Sequence, residues 1–210
     1  MAVGSDVAAN KPDARKTGNP AVAPAALLLA EIERLKADIA RAQRTIAELE
    51  ARADIDPLLE ILNRRGFERE LKRSLAYLQR YRGEAALLFI DLDGFKAVND
   101  RHGHAAGDAL LKAVARELTG HVRASDVVAR LGGDEFGVLL WNLSAALAAA
   151  KARELEQLIA AVGVAHGAAR LAVGASAGIV PLAAAATPAQ MIDAADQAMY
   201  ARKQERRAKE

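Results

Sequence analysis

Apolar residues recur with a seven-residue period between residues 28 and 49. They alternate in steps of four and three, at Leu28, Ile32, Leu35, Ile39, Ala42, Ile46 and Leu49. A heptad of this kind predicts a helix whose narrow apolar seam pairs with a second helix. Isoleucine at the a positions and leucine or alanine at the d positions favour a parallel two-stranded coil, with Glu31 facing Lys36 of the other chain. The pattern predicts a homodimer through residues 28–49; a helix packed on its own domain is the alternative.

The regions on either side of this helix differ from it in amino-acid composition and in hydrophobic pattern. Residues 1–25 carry Pro12, Pro20 and Pro24, scattered charges and no apolar period, so they are predicted to be a disordered tail. At Asp56-Pro57 a capping residue precedes a proline, which is typical of a helix start. The predicted organisation is a tail over 1–25, a coiled-coil dimerisation helix over 26–55 and a folded domain over 56–210.

The folded domain shows alternating helix and strand patterns. A helix with an apolar face at Leu62, Phe67, Leu71, Leu75 and Leu78 precedes a buried strand, Ala85–Ile90. Two apolar runs joined by Gly132-Gly133 predict a β-hairpin. The remaining predicted elements are helices over 105–121, 144–162 and 188–206 and a strand over 171–180. The order αβα-ββ-αβα predicts an α+β sandwich, with helices against one mainly antiparallel sheet.

Composition narrows the classes of function. The 210 residues are 52% hydrophobic and only 4% aromatic, which suits a soluble domain with a core. The net charge of +2 gives no field strong enough to predict binding of nucleic acid or of an anionic membrane. No apolar run reaches membrane-span length, and cysteine is absent from the sequence, which excludes disulfides and a cysteine nucleophile. We expect a cytoplasmic protein without a membrane span.

Acidic residues cluster at two places that can be neighbours in one sheet. Asp91 and Asp93 follow the buried strand, and Asp134 and Glu135 follow the glycine pair. Each cluster alone is equally compatible with solvated turn carboxylates. Together they form a four-carboxylate locus that suits Mg²⁺-assisted phosphoryl or nucleotidyl transfer. Basic side chains could balance triphosphate charge there: Lys96, Lys203, Arg206 and Arg207.

The segment RLGGDEF, with DLDGFKAVNDRHGHAAGDALL upstream, resembles the GGDEF family of diguanylate cyclases over residues 56–207. The resemblance implies a fold like that of adenylyl cyclases and polymerase palms. It also implies condensation of two GTP into cyclic di-GMP with release of two pyrophosphates, by a dimer that uses Mg²⁺, with Mn²⁺ as an alternative.

The same resemblance implies roles for individual residues. Metal would be held by Asp91, the main-chain carbonyl of Leu92, Asp134 and Glu135, and the general base stays open between Asp134, Glu135 and water. Lys96 would stabilise charge on the transferring phosphate. The remaining matches are guanine and ribose contacts at Asn99, His104 and Asp108, phosphate contacts at Gly132 and Gly133, and γ-phosphate contacts at Lys203 and Arg207.

Arg123 and Asp126 match the family's RxxD product-inhibition site, for which a surface ion pair is the alternative. Three positions depart from the family: Arg206, where glycine is usual, and Leu59 and Glu60, where threonine and glycine are usual. Two other functions are compatible with parts of the sequence: a silent module that binds GTP or cyclic di-GMP, and a coiled-coil scaffold. An unidentified protein partner of residues 1–25 is also open.

Overall fold

The computed structural model describes the backbone of residues 22–167 and 169–207, and the side chains of 27–45, 53–167 and 169–206. The chain divides into two units between Glu48 and Leu49. Its first helix, α1, runs over Val22–Ala53 and covers the predicted coiled-coil segment. Residues 1–21 of the predicted tail lie outside the described residues. None of the described helices combines the length and hydropathy of a membrane span.

The apolar seam of α1 is open to solvent in the single chain. Leu28, Ile32, Leu35 and Ile39 are 65%, 45%, 47% and 57% exposed. Charged residues of α1 form ion pairs along the helix, as Arg34 with Glu31, Lys36 with Glu33 and Arg41 with Asp38. The side chains of Ile46 and Leu49 lie outside the described residues. The described half of the seam is therefore a stripe of large apolar side chains in water.

A five-stranded sheet is the centre of the second unit. Its strand order is β1-β3-β4-β2-β7, and every neighbouring pair is antiparallel except β1 with β3. A separate hairpin pairs β5 with β6. The strands are β1 (Leu62–Asn63), β2 (Ala85–Asp93), β3 (Val127–Arg130), β4 (Glu135–Trp141), β5 (Val164–His166), β6 (Ala169–Leu171) and β7 (Gly174–Pro181).

Helices cover both faces of this sheet. They are α2 (Arg64–Tyr81), α3 (Phe95–His102), α4 (His104–Gly120), α5 (Ala145–Ala161) and α6 (Pro188–Arg207). Apolar residues of α3, α4 and α5 form one core with the sheet, and those of α2 and α6 form a second core. The strand β2 contributes to both, because successive side chains point to opposite faces. Leu87 and Phe89 face α2 and α6, whereas Leu88 and Ile90 face the other core.

The predicted α+β class with a mainly antiparallel sheet is confirmed, but several elements differ from expectation. The strands β1 and β5 were not expected, and Leu62, predicted on a helix, lies in β1. The helix expected from Asp56 begins at Arg64, where the Asn63 side chain accepts a hydrogen bond from Gly66 N at 3.0 Å. Asp56 closes a turn by accepting from the amides of Leu58 and Leu59. The helix α3 was not expected, and the strand expected over 171–180 is divided between β6 and β7.

Candidate active site

Asp91 and Asp93 lie at the carboxyl end of β2, on the face of the sheet that α6 covers. They share this face with Leu87 and Phe89, because residues two apart in a strand point the same way. The ammonium of Lys203 forms an ion pair with Asp91 and lies 3.6 Å from Asp93 Oδ1. Ser176 Oγ, in the neighbouring strand β7, donates to Asp93 at 2.9 Å. Lys203 thus lies close to two carboxylates that would otherwise repel each other.

The glycine turn brings the second acidic pair beside the first. In the β2–β4 ladder Asp91 lies opposite Glu135, and Leu92 N donates to Asp134 O at 3.1 Å. Neither Gly132 nor Gly133 has a positive φ, so this turn does not depend on the left-handed conformation that glycine tolerates. A Cβ at Gly132 would lie 2.4 Å from Glu135 Oε2, so a larger residue there would displace the Glu135 carboxylate. The hairpin and the neighbouring acids are as predicted.

Two arginines hold the carbonyl side of this turn. Arg130 Nε donates to Gly132 O at 3.0 Å, and its Nη2 donates to Gly133 O at 2.8 Å. Arg64 Nε donates to Leu131 O at 2.7 Å. Since three successive carbonyls are engaged by guanidinium groups, the backbone of the turn is fixed from behind. Neither arginine was predicted as a site residue, although Arg130 is the first residue of RLGGDEF.

The side chain of Asp56 contacts both Arg130 and the first turn of the folded domain. Its Oδ2 lies 3.2 Å from Arg130 Nη1, and both side chains are mostly buried. Its Oδ1 holds the turn of residues 56–59 by accepting from two backbone amides. One carboxylate therefore fixes both the entry turn and the arginine behind Gly132 and Gly133.

The electrostatics of the acidic cluster favour an added cation. Burial, followed by the charge of Asp91, raises the pKa of Asp134 above its ordinary value. Burial also raises the pKa of Glu135, with Asp134, Asp196 and Asp91 adding to the shift and Arg64 opposing it. The ionised forms of both side chains are thus incompletely compensated by Lys203, Arg130 and Arg64.

Oxygen donors of the type that magnesium prefers are present, but they are not gathered around one point. Within the described part of the chain, no group of three or more His, Asp or Glu side chains is placed to hold a metal ion. The Lys203 ammonium lies against Asp91, where a cation would compete with it. The donor chemistry and the raised pKa of Asp134 nevertheless fit a hard divalent cation.

A second group of predicted site residues lies on α3 and α4. Lys96 and Asn99 are on α3, and His104 and Asp108 are on the first turns of α4. The side-chain Oδ1 of Asn99 is buried without a hydrogen-bond partner in the described structure. A Cβ at Gly107 would lie 1.9 Å from that oxygen, so Gly107 provides the space that Asn99 occupies. The glycine inside the helical pattern of HAAGDALL is the sequence signal for this role.

The chain matches a known protein family over most of its length. The family described as "Diguanylate cyclase, GGDEF domain" matches residues 53–209. The chain belongs to the GGDEF family.

Relatives of this GGDEF protein include diguanylate cyclase TpbB of Pseudomonas aeruginosa, 39% identical over 179 residues. The match covers 84% of this chain but 41% of TpbB, so the chain spans about two fifths of that relative. A sensory box/GGDEF family protein of Caulobacter crescentus is 36% identical, with a TM-score of 0.68 over 72% of this chain and 99% of that one. The GGDEF domain of DgcB from the same organism, in complex with cyclic di-GMP, is 26% identical, with a TM-score of 0.69 over 73% and 91%.

The RxxD segment of this GGDEF domain is a tight turn before β3. Asp126 Oδ2 accepts from Arg123 N at 2.9 Å, and its Oδ1 accepts from Trp141 N at 3.0 Å. The expected alternative, a side-chain ion pair between Arg123 and Asp126, does not form in the described structure. The Arg123 side chain is exposed at the edge of a cavity of about 320 Å³.

The departures from the family also have structural consequences. Glu60 adopts a φ of 57°, in the left-handed region that glycine tolerates best, which explains the usual glycine there. Leu59 is buried in the core beside α3, α4 and α5. Arg206 lies on α6 within reach of Asp93, and the Arg207 side chain lies outside the described residues.

Proposed function

We propose that this protein is a diguanylate cyclase. In the reaction the 3′-hydroxyl of each GTP attacks the α-phosphorus of the other. Two phosphodiester bonds form, giving cyclic di-GMP, and two pyrophosphates and two protons leave. The observation that carries the proposal is that β2 and β4 are neighbours in the sheet. Asp91 lies opposite Glu135, and Leu92 N donates a hydrogen bond to Asp134 O. Lys203 of α6 pairs with Asp91 beside them.

Asp91, the main-chain carbonyl of Leu92, Asp134 and Glu135 are proposed to hold Mg²⁺, for which Mn²⁺ is an alternative. When bound, the ion would neutralise phosphate charge and lower the pKa of a nearby hydroxyl. The incompletely compensated charge of Asp134 and Glu135 supports this assignment, because a cation would offset the burial and the neighbouring negative charges that raise their pKa. Either carboxylate, or water, could take the proton of the 3′-hydroxyl.

The nucleotide is proposed to lie between the glycine turn and the helices α3 and α4. Gly132 and Gly133 would lie against the phosphates, since their carbonyls are held away by Arg130. Lys96, Lys203 and Arg207 would balance phosphate charge. Asn99, His104 and Asp108 would contact guanine and ribose; the buried, unpartnered Oδ1 of Asn99 supports a role in accepting a hydrogen bond from the base.

The reaction requires two such domains, because each holds one of the two GTP molecules. We propose that α1 supplies the pairing, as a parallel two-stranded coil. The exposed seam at Leu28, Ile32, Leu35 and Ile39 supports this role, because large apolar side chains in a regular stripe gain free energy when a second helix covers them. Pairing raises the effective concentration of one half-site near the other.

Product inhibition is proposed at Arg123 and Asp126. Both Asp126 oxygens hold backbone amides, so this residue would shape the turn, while the exposed Arg123 guanidinium would bind a guanine edge or a phosphate. Cyclic di-GMP should therefore lower the initial rate of the wild type, and Arg123→Ala should relieve the inhibition. An initial rate that cyclic di-GMP leaves unchanged would contradict this part of the proposal.

The activity is tested by incubating the purified protein with GTP and Mg²⁺ and identifying products by mass spectrometry. We expect cyclic di-GMP and pyrophosphate from the wild type and neither from Asp134→Ala. Any bound nucleotide should be removed first, so that retained product does not suppress the rate. A folded, dimeric protein that binds GTP without converting it would be a silent binding module, and one that binds no nucleotide would be a scaffold.

A further inference from the structure

Arg206 is placed beside the acidic cluster by the last turns of α6. It follows Lys203 by three residues, so both side chains lie on one face of the helix. Lys203 contacts Asp91, and Arg206 Nη1 lies 3.6 Å from Asp93 Oδ2. Lys203 therefore pairs with Asp91, and Arg206, about one helical turn further along α6, pairs with Asp93.

The guanidinium of Arg206 lies against the neighbouring strand β7. Gly174 lies opposite Asp93 in the β2–β7 ladder, and a Cβ there would approach both Asp93 Oδ2, at 3.4 Å, and Arg206 Nη2, at 3.7 Å. Arg206 Nη1 donates to the carbonyl of Ala175, which follows this glycine. The backbone of β7 therefore sets the position of the guanidinium next to Asp93.

Most of the donor capacity of Arg206 is not used by these contacts. An arginine has five N–H donors. Within the described residues, the Ala175 carbonyl is its hydrogen-bond acceptor, and the approach to Asp93 is an ion pair longer than a hydrogen bond. Asp93 already accepts hydrogen bonds from Ser176 Oγ at 2.9 and 3.2 Å. Because the Arg206 side chain is 36% exposed, its remaining donors can meet a ligand.

We propose that Arg206 is a phosphate-binding residue, which acts with Lys203 on the pyrophosphate portion of the substrate. The proposal rests on the proposed function, since it assumes that the acidic cluster receives a nucleoside triphosphate. A planar guanidinium can bind two phosphate oxygens in a fixed bidentate geometry, whereas an ammonium acts as a point charge without that fork. Arg206 neutralises Asp93 in the free protein and turns its unused donors to the phosphates when the nucleotide binds.

A purely structural role is the competing explanation. In that case Arg206 would only fasten the end of α6 to Asp93 and the Ala175 carbonyl. Its replacement would then lower the thermal stability of the protein without changing its affinity for phosphate. Binding measurements therefore separate the two roles.

The test is calorimetric titration of the full chain with inorganic pyrophosphate in the presence of Mg²⁺, alongside steady-state kinetics with GTP. The variants are Arg206→Gln, Arg206→Lys and a control, Arg202→Gln. Arg202 lies on the same helix but pairs with Glu156 at 3.3 Å and with Glu205. Thermal melts establish that each variant is folded.

We expect Arg206→Gln to weaken pyrophosphate binding by about 10- to 100-fold, the loss of one charged hydrogen-bonding group. The KM for GTP should rise by a similar factor while kcat changes by less than about 3-fold. The reason is that Arg206 would contact the phosphates equally in the bound substrate and in the transition state. Arg206→Lys should recover part of the affinity, and Arg202→Gln should retain all of it.

Unchanged pyrophosphate affinity in folded Arg206→Gln would overturn the proposal, as would a wild type that does not bind pyrophosphate. If the glutamine variant does not fold, Arg206→Lys decides, because full wild-type affinity in that variant would contradict two-point binding. A wild type that binds pyrophosphate through Arg206 but makes no cyclic di-GMP would overturn the cyclase proposal and leave this one standing.

Discussion

The Asp56 carboxylate lies 3.2 Å from the Arg130 guanidinium, which in turn binds the carbonyls of Gly132 and Gly133. Asp56 is the first residue of the turn that follows α1 and Ile55, and Arg130 ends the strand before the glycine pair. The segment that enters the domain is therefore connected to the proposed phosphate-binding turn through two side chains.

The variant Asp56→Asn removes the ion pair with Arg130 but can keep the hydrogen bonds by which Asp56 holds its own turn. An asparagine oxygen can still accept from Leu58 N and Leu59 N, but the charge facing Arg130 is lost. We expect unfolding in denaturant to show a loss of about 1–3 kcal/mol, because the pair is mostly buried. Cyclase kcat should fall by about 10-fold or more, because the glycine turn is held less firmly.

Asp193→Asn is the matched control for this variant. Asp193 is an exposed residue of α6 outside the site, so the same change of side chain there should leave both stability and kcat at wild-type values. Wild-type kcat in Asp56→Asn would show that the pair supports the fold and not the active turn.

Gly107→Ala tests the proposed guanine contact at Asn99. The added methyl group would lie 1.9 Å from Asn99 Oδ1 and 3.1 Å from the Phe95 ring, so Asn99 must move. We expect the KM for GTP to rise by about 10-fold, the value of one lost hydrogen bond to the base. Steady-state kinetics measure the change, and thermal melts confirm that the variant is folded.

The control is Gly120→Ala, at the end of the same helix. A Cβ at Gly120 has no neighbour within 4 Å, so this change should leave the KM for GTP unaltered. Equal KM values for both alanine variants would remove Asn99 from the guanine site.

Asp134→Asn is expected to stabilise the metal-free protein at neutral pH while abolishing activity. Because burial and Asp91 raise the pKa of Asp134 in the folded state, its ionisation costs stability once the pH exceeds the ordinary value of 3.8. The cost is complete above the raised folded pKa. It disappears below 3.8, where the carboxyl is protonated in both states.

Thermal melts in a chelator should therefore show a higher Tm for Asp134→Asn at pH 7 than for the wild type. The gain should be about 1–3 °C, a small value because the side chain is partly exposed. The two proteins should converge in acid. A variant that is less stable than the wild type at pH 7 would contradict the proposed repulsion.

Ile32→Asp combined with Ile39→Asp is expected to separate the proposed dimer. Both residues occupy a positions of the seam, and a paired coil would bury their charges without partners. Sedimentation should show a monomer at concentrations where the wild type is dimeric. Cyclase activity should become strongly dependent on protein concentration, because the two half-sites must then meet by diffusion.

Leu27→Asp provides the control, since Leu27 is 73% exposed and lies at a c position off the seam. This variant should remain dimeric and active. A dimer that survives both seam substitutions would show that pairing uses another surface.

Much of the fold was predictable from local patterns. The buried run of β2, the hairpin around Gly132 and Gly133 and the last helix appear close to where the sequence places them, because apolar period and turn residues are local signals. The start of α2 was mistaken because Asp56-Pro57 and Asn63 both resemble caps. Asp56 holds a turn through Leu58 N and Leu59 N and pairs with Arg130, far along the chain, and the helix begins after Asn63.

The acids of the site and the basic residues of the last helix were visible in the sequence, but most of the contacts that position them were not. Asp91, Asp93, Asp134 and Glu135 stand in two short motifs, and the sequence alone determined that they could meet at one edge of a sheet. Only the tertiary structure decided that Arg64 and Arg130 fix the glycine turn from behind, that Gly107 makes room for Asn99, and that Arg206 reaches Asp93. The physical reason is that motifs record short-range chemistry, whereas the partner of a buried charge is chosen by the packing of distant strands and helices.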